Sequence, residues 1–228
     1  MNDLDPQHLA ADLAQHGYAV RPMLDPATCG ALTALYDQTP IFRKRIVMEA
    51  HGYGRGEYQY FAYPLPRVVA DLRSTLYPPL ATVANQWRRA LGQDEIFPAT
   101  FEAFIERCHA AGQTRPTPLM LRYAKDGFNC LHQDLYGELV FPLQTVILLS
   151  DPERDFSGGE FMLVEQRPRA QSRGEVVRLR QGEAAIFPVR ERPVRGARGY
   201  HRVAMRHGVS RVLSGNRHTL GIIFHDAA

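Results

Sequence analysis

His132, Gln133 and Asp134 form a short polar motif within a β-like segment, 130–135, which we predict to be a strand. Residues i and i+2 of a strand point to the same face, so the imidazole and the carboxylate could reach one point. An imidazole nitrogen and a carboxylate oxygen are two of the three ligands in the facial triad that binds non-haem Fe(II). By itself, such a tripeptide is more often an ordinary polar pair.

A second polar element lies near the end of the chain. His207 ends one predicted strand, Ser214 and Gly215 form a turn, and Arg217 opens the next strand. Antiparallel neighbours joined in this way can bring His207 and Arg217 into one pocket. A guanidinium at that depth would be costly unless it binds an anion, and a dicarboxylate accepts two parallel hydrogen bonds from it.

His201 is an alternative to His207 as the third ligand. Both histidines lie in β-like sequence, but His207 is ten residues from Arg217 and His201 is sixteen residues away. We prefer His207 because it would face the same pocket as the arginine.

These residues are expected to be positioned by an α+β fold that is mainly β. Residues 1–118 contain helical patterns at 6–16, 27–38 and about 65–91, with a break near Pro78 and Pro79. From Leu119 onward, glycine and proline punctuate short β-like segments, which favours a β-sandwich or jelly roll. The predicted strands are 119–123, 130–135, 143–150, 159–165, 175–179, 184–189, 201–207 and 219–225. We therefore expect a helical support and lid region, 1–118, integrated with a catalytic core, 119–228.

The composition indicates a packed globular protein. Hydrophobic residues make up 45% of the 228 residues, and the longest apolar runs are too short to span a bilayer. The first residues lack the basic start and apolar run of a signal peptide, so we expect a cytoplasmic protein. Cys29, Cys108 and Cys130 are scattered, which argues against a disulfide framework and a thiolate zinc site.

Arginine is concentrated in the stretch from Arg167 to Arg217, which holds 13 arginines and only three glutamates. Two interpretations remain open: solvated strand edges, or a basic face for a polyanion such as nucleic acid.

The segment 51–61 is rich in glycine and aromatic residues. It could be a loop whose aromatic side chains fill the core, or a mobile lid that stacks a flat substrate group from Tyr53 to Phe61.

Together these motifs resemble the 2-oxoglutarate- and Fe(II)-dependent dioxygenase superfamily. The end of the chain is similar to the prolyl-hydroxylase-like branch, which reads roughly H-x-V-x-x-V-x-x-G-x-R, at His207, Val209, Val212, Gly215 and Arg217. Further similarities lie at 121–123, 156–161 and 181–187, and the resemblance covers about 119–226. The context 130–138 most resembles a bacterial group labelled as oxygenases acting on alkylated DNA.

The resemblance implies a double-stranded β-helix with N-terminal helices buttressing one sheet. It also implies Fe(II), 2-oxoglutarate and dioxygen as cofactor and co-substrates. His132, Asp134 and His207 would be the catalytic iron ligands, Arg217 would bind the C5 carboxylate of 2-oxoglutarate, and Tyr123 would touch the co-substrate.

Arg211 is a second candidate anion binder, since two arginines follow the distal histidine in AlkB-type DNA demethylases. A solvated strand residue is an equally good interpretation of Arg211.

Three functions follow from these observations. The first is oxidative demethylation of an alkylated nucleic acid base, and thus DNA repair, which would use the arginines and the aromatic segment. The second is hydroxylation of a protein, of the prolyl type, or of a small molecule. The third is a non-enzymatic β-sandwich binding module, in which the polar spacing would be accidental. The substrate atom and the oligomeric state stay open.

Overall fold

The computed structural model describes residues 4–94, 96–167 and 169–228. Within these ranges the α-helices are α1 (Pro6–Gln15), α2 (Pro26–Ala34), α3 (Arg67–Ala90) and α4 (Phe101–Ala110). The strands are β1 (Ala19–Pro22), β2 (Phe42–Val47), β3 (Gly54–Arg55), β4 (Glu57–Phe61), β5 (Leu119–Tyr123), β6 (Phe128–His132), β7 (Leu143–Leu148), β8 (Phe156–Gly158), β9 (Phe161–Gln166), β10 (Arg173–Val177), β11 (Glu183–Pro188), β12 (Glu191–Gly196), β13 (Gly199–Val209), β14 (Val212–Gly215) and β15 (Arg217–Ile222). Among the described helices, none is long and apolar enough to cross a membrane.

Two antiparallel sheets form the body of the molecule. The major sheet has the strand order β1-β11-β7-β15-β5-β4-β2, and the minor sheet has the order β10-β9-β13-β6-β3 with β12 paired to β13. Strands β8 and β14 form a separate short pair. The predicted fold class, a mainly β jelly roll with N-terminal helices, is confirmed.

The major sheet is covered on both faces, as its alternating side chains show. Met120, Ile147 and Leu220 belong to the core shared with the helices, whereas Tyr123 and Leu148 belong to the core between the two sheets. Because successive strand residues point to opposite faces, this sheet separates a helical layer from the sandwich interior. The helices therefore buttress the major sheet and leave the interior free for a site.

Helix α3 runs through Pro78 and Pro79 without the break that we expected. Each proline removes a backbone donor, and that loss usually kinks or ends a helix. Here the same helix buries Leu76, Tyr77 and Leu80 completely. The apolar contacts of this face outweigh the missing hydrogen bonds, since most helical stability in proteins comes from packing.

Helix α2 is shorter than predicted, because it ends at Ala34 rather than at Gln38. Its beginning agrees with the proline signal: Asp25 caps the backbone N–H of Thr28, and Pro26 occupies the first turn. Helix α4 was not predicted. Thr100 caps it by accepting a hydrogen bond from the N–H of Ala103.

Part of the aromatic segment 51–61 is a strand rather than a loop. Strand β4 lies between β2 and β5 in the major sheet, and Phe61 on it is completely buried. Only Tyr53, before β3, is about half exposed. The core-filling interpretation therefore holds for the end of the segment, and Tyr53 remains available at the surface.

Candidate active site

Strands β6 and β13 bring two histidines together. His207 on β13 pairs directly with His132 on β6, and directly paired residues of antiparallel strands place their side chains on one face. The two ring centroids are 4.2 Å apart. His207 is buried, and His132 lies at the end of its strand.

Asp134 reaches the same point by a route that differs from our expectation. Strand β6 ends at His132, so Asp134 lies beyond the strand that we predicted to continue to residue 135. The Gln133 side chain holds this loop by donating hydrogen bonds to the carbonyls of Arg190 (2.9 Å) and Met205 (2.8 Å). A side-chain tether, the two hydrogen bonds of Gln133, therefore positions the Asp134 carboxylate in place of backbone pairing between strands.

The three predicted ligands converge on one small volume. One Asp134 carboxylate oxygen, Oδ2, lies 3.1 Å from His207 Nε2, and the other, Oδ1, lies 3.5 Å from His132 Nε2. One ligand atom from each residue can be chosen so that all three lie within 4.8 Å of one another. Two imidazole nitrogens and one carboxylate oxygen are the donor set of a facial triad.

Neighbouring groups fix the orientation of these side chains. His132 Nδ1 lies 2.7 Å from the carbonyl oxygen of Cys130, to which it donates, so Nε2 is left as the free ligand atom. The Tyr136 hydroxyl donates to Asp134 Oδ1 at 3.0 Å, and the Tyr60 hydroxyl donates to that of Tyr136 at 3.0 Å.

At Asp134 and His207, the electrostatics favour the protonation states that a metal requires. Burial opposes ionisation of Asp134, but its hydrogen bond with His132 and the charge of His207 hold its pKa well below the usual range. Burial lowers the pKa of His207. Burial also acts to lower the pKa of His132, but its hydrogen bond with Asp134, the charge of that carboxylate and the backbone hydrogen bonds together outweigh burial, so that pKa is raised. An anionic Asp134 and a neutral His207 are ready to bind a cation.

The Arg217 side chain lines the same cavity as the three ligands. It begins β15 opposite Tyr123 of β5, so the two side chains share a face. Arg217 is 2% exposed, and its Nε and Nη1 atoms are buried without a hydrogen-bond acceptor among the described residues. Burial lowers the pKa of its guanidinium to about 10. Such a group is costly unless an anion completes it.

Two glycines allow Arg217 to enter the interior. Gly215 has a φ of +75°, and a Cβ atom there would lie 2.0 Å from the carbonyl oxygen of Asp155. Gly159 has a φ of +63°, and a Cβ atom there would lie 2.9 Å from Cδ of Arg217. A larger residue at either position would move the backbone or the guanidinium.

Sequence reasoning missed one polar side chain of the cavity wall, Gln144 of β7. Gln144 is buried with Nε2 at 3.5 Å from His207 Nε2. The signal was present, because Gln144 is a polar residue in the largely apolar strand β7.

The residues present fit an iron ion and a dicarboxylate. A cavity of about 460 Å³ is lined by His132, Asp134, His207, Arg217 and Tyr123 together. The histidines and the aspartate offer nitrogen and oxygen ligands, and the unpartnered guanidinium offers the counter-charge for a carboxylate. The buried polar atoms at the far side of the cavity are therefore explained by one bound anion.

The two alternative residues lie elsewhere. His201 is exposed on β13, where it pairs with Val194, and it is not part of the His–Asp–His cluster. Arg211 is two-thirds exposed, with Nη1 3.9 Å from Asp126, and it does not line the cavity.

Comparison with known proteins identifies the family of this chain. A family model named Oxygenase-NA, described as "Oxygenase, catalysing oxidative methylation of damaged DNA", matches residues 56–227. The chain belongs to the Oxygenase-NA family. Two uncharacterized Mycobacterium tuberculosis proteins are 55% identical to this Oxygenase-NA chain over 168 residues, which are 74% of the chain and 72% of each relative.

Solved structures share the fold of this Oxygenase-NA protein. A Pseudomonas putida prolyl-4-hydroxylase superposes with a TM-score of 0.57 at 14% identity, covering 98% of this chain and 99% of that chain. A 2OG-Fe(II) family oxidoreductase from Burkholderia pseudomallei gives a TM-score of 0.51 at 19% identity, covering 98% and 93%. The family model makes the protein an oxygenase, and its fold is shared with these two solved enzymes.

Proposed function

We propose that this oxygenase is a 2-oxoglutarate-dependent dioxygenase that binds Fe(II) through His132, Asp134 and His207 and oxidatively demethylates alkylated bases in nucleic acid. The observation that carries the reaction class is the buried, unpartnered guanidinium of Arg217, which lies in the same cavity as the three ligands. A site for a metal alone would not need a cationic group at the other end of the cavity. A site for a dicarboxylate that chelates the metal needs both the metal ligands and this cationic group.

The residues at the two ends of the cavity would have different roles. Arg217 would anchor the far carboxylate of 2-oxoglutarate, with the Tyr123 ring centroid 5.7 Å from its guanidinium carbon. When bound, Fe(II), 2-oxoglutarate and dioxygen would supply the oxidation of a substrate C–H bond, with succinate and CO₂ as co-products. Phe161 and Phe187 line the cavity and would exclude water from it.

The rim of the cavity supports a flat, weakly polar substrate group. Tyr53, Leu131 and Leu135 line the cavity and are 49%, 41% and 45% exposed. The Tyr53 ring stacks on His51 with a centroid distance of 5.3 Å, which holds an aromatic face at the entrance. Enzymes that act on a base withdraw it from the stack and hold it between aromatic or apolar side chains.

The metal and co-substrate assignment is tested by an anaerobic spectrum. Fe(II) and 2-oxoglutarate together should give a visible charge-transfer band in the wild type, and His207→Ala should abolish it. His201→Ala is the matched control, because it removes an exposed imidazole of the same strand and should leave the band intact. A wild type without the band, or loss of the band in His201→Ala, would contradict the assignment.

The substrate is tested separately by succinate release over a panel of methylated oligonucleotides, peptides and free metabolites. Demethylation predicts turnover with methylated oligonucleotides and release of formaldehyde. Turnover with peptides or metabolites alone would replace this substrate by the protein or small-molecule alternative while keeping the reaction class.

A further inference from the structure

Strands β12 and β13 form a two-stranded ribbon that is buried at one end and exposed at the other. They pair without interruption from Glu191 opposite Ala204 to Gly196 opposite Gly199. At the buried end, Arg192 is 4% exposed, its Nε lies 3.1 Å from Glu165, and its Nη1 donates to the carbonyl of Ala14 at 3.0 Å. The base of the ribbon is therefore held by the sandwich and by helix α1.

At the other end, every residue from Arg195 to Arg202 is exposed. A strand of a packed sheet alternates between buried and exposed positions, so eight exposed residues in succession mean that both faces of the ribbon are in solvent. A bare two-stranded ribbon gains little stability from its own contacts. Its exposed part is thus suited to contact another molecule.

The exposed part is basic on a defined face. Arg195 pairs directly with Tyr200, and Pro193 with Arg202, so Arg195, Tyr200 and Arg202 share one face. Arg198 lies in the turn, and Tyr200 is 51% exposed.

These charges are poorly compensated. The sequence contains no carboxylate from Arg192 to Arg217. Glu191 pairs with Arg202 at 2.9 Å, while Arg195 and Arg198 form no ion pair with any described residue.

The length of the ribbon gives the distance between its exposed end and the cavity. Tyr200 and His207 lie on the same strand, and seven residues at roughly 3.3 Å each correspond to about 23 Å. Duplex DNA rises about 3.4 Å per base pair, so the exposed end would lie about seven base pairs from a base in the cavity.

We propose that the exposed end of the β12–β13 ribbon, residues 195–202, binds the phosphate backbone of duplex DNA on one side of the target base. The distance to the target rests on the proposed function, whereas binding to the duplex does not. A two-stranded β-ribbon has the dimensions to lie along a DNA groove, and arginine donates to phosphate oxygens in pairs.

The test compares the affinities of an 8-bp and a 20-bp duplex, each carrying a methylated base at its centre. Only the longer duplex extends seven base pairs from the target. We expect Arg195→Ala/Arg198→Ala to weaken binding of the 20-bp duplex by about tenfold at 50 mM salt and to reduce the slope of log K against log salt by about 1.8. The preference of the wild type for the longer duplex should largely disappear.

Two control variants make the outcome specific. Arg67→Ala/Arg89→Ala removes the same charge from exposed positions of α3 and should bind the long duplex as the wild type does. Arg195→Lys/Arg198→Lys keeps the charge and should retain most of the affinity. Equal binding by the Arg195→Ala/Arg198→Ala variant and the wild type, or an equal loss in the α3 variant, overturns the proposal.

The outcomes also separate the two proposals. Ribbon-dependent binding of the duplex without succinate release from any methylated oligonucleotide supports the ribbon and refutes the demethylase. Succinate release together with duplex binding that is insensitive to the ribbon arginines refutes the ribbon alone.

Discussion

Arg217 places a permanent charge in the interior with two nitrogen atoms that lack partners among the described residues. We expect Arg217→Lys to raise the KM for 2-oxoglutarate by about 10- to 100-fold, because an ammonium is a point charge that cannot donate two parallel hydrogen bonds. The measurement is succinate release against 2-oxoglutarate concentration. Arg211→Lys, outside the cavity, should show the wild-type KM, and an unchanged KM in Arg217→Lys would remove the anchor role.

His225 is a second residue whose surroundings make a quantitative prediction. It is completely buried, its Nδ1 accepts a hydrogen bond from the N–H of Phe141, and burial, assisted by the charge of Arg73, lowers its pKa to about 4. The unfolded chain binds a proton near pH 6.5 and the folded chain does not. The free energy of unfolding is therefore not reduced by this group above pH 6.5. It decreases as the pH falls from 6.5 toward 4, by about 3 kcal/mol in total.

Urea unfolding at pH 7.5, 6 and 5 checks this prediction against His225→Asn, whose amide oxygen can still accept from Phe141. The variant should lose less stability than the wild type between pH 6.5 and 5, since it has no imidazole to protonate. Parallel curves for the two proteins would show that His225 does not contribute. Groups common to both proteins cancel in the comparison.

Among the elements, helix α3 is stable in spite of its prolines. Pro78 is exposed in the helix interior, where proline costs about 3 kcal/mol relative to alanine. We expect Pro78→Ala to raise the free energy of unfolding by about 2 kcal/mol, because proline's stiffening of the unfolded chain offsets part of that cost. Chemical denaturation measures the change, and a destabilised variant would mean that the local helix geometry depends on the proline.

The sequence predicted best those elements in which local pattern and packing agree. All eight predicted strands overlap a strand of the structure, as 119–123 does with β5. The predicted break in helix α3 was wrong, because the prolines are visible in the local sequence whereas the burial of Tyr77 depends on residues far away in the chain. Asp134 was predicted to lie in a strand, because the alternation of residue types cannot show that the Gln133 side chain bonds to a distant carbonyl. The ligand set could be proposed in advance because residue type and spacing are sequence properties, whereas the approach of Gln144 to His207 depends on how the two sheets pack.

Across the whole molecule, one buried ion pair joins the end of the chain to helix α3. Arg73 and Asp226 are both completely buried, with Nη2 2.7 Å from Oδ1, and Tyr63 and His109 also contact this carboxylate. We expect Asp226→Asn to cost about 3–5 kcal/mol, because it leaves the Arg73 charge buried and uncompensated.

Thermal and urea unfolding measure this loss. Asp71→Asn, which breaks an exposed ion pair of the same helix, is the control and should have little effect. A small change in Asp226→Asn would mean that the carbonyls of Ile223 and Phe224, which accept hydrogen bonds from Arg73, hold the guanidinium without the carboxylate.

The tether of Gln133 has a consequence for protein engineering. Both of its acceptors, at Arg190 and Met205, are main-chain carbonyls, so the tether does not depend on which side chains those two positions carry. Residues 195–202 begin beyond these anchor points. We therefore expect that a ribbon of different length or charge can be transplanted at these positions while the loop that carries Asp134 keeps its place.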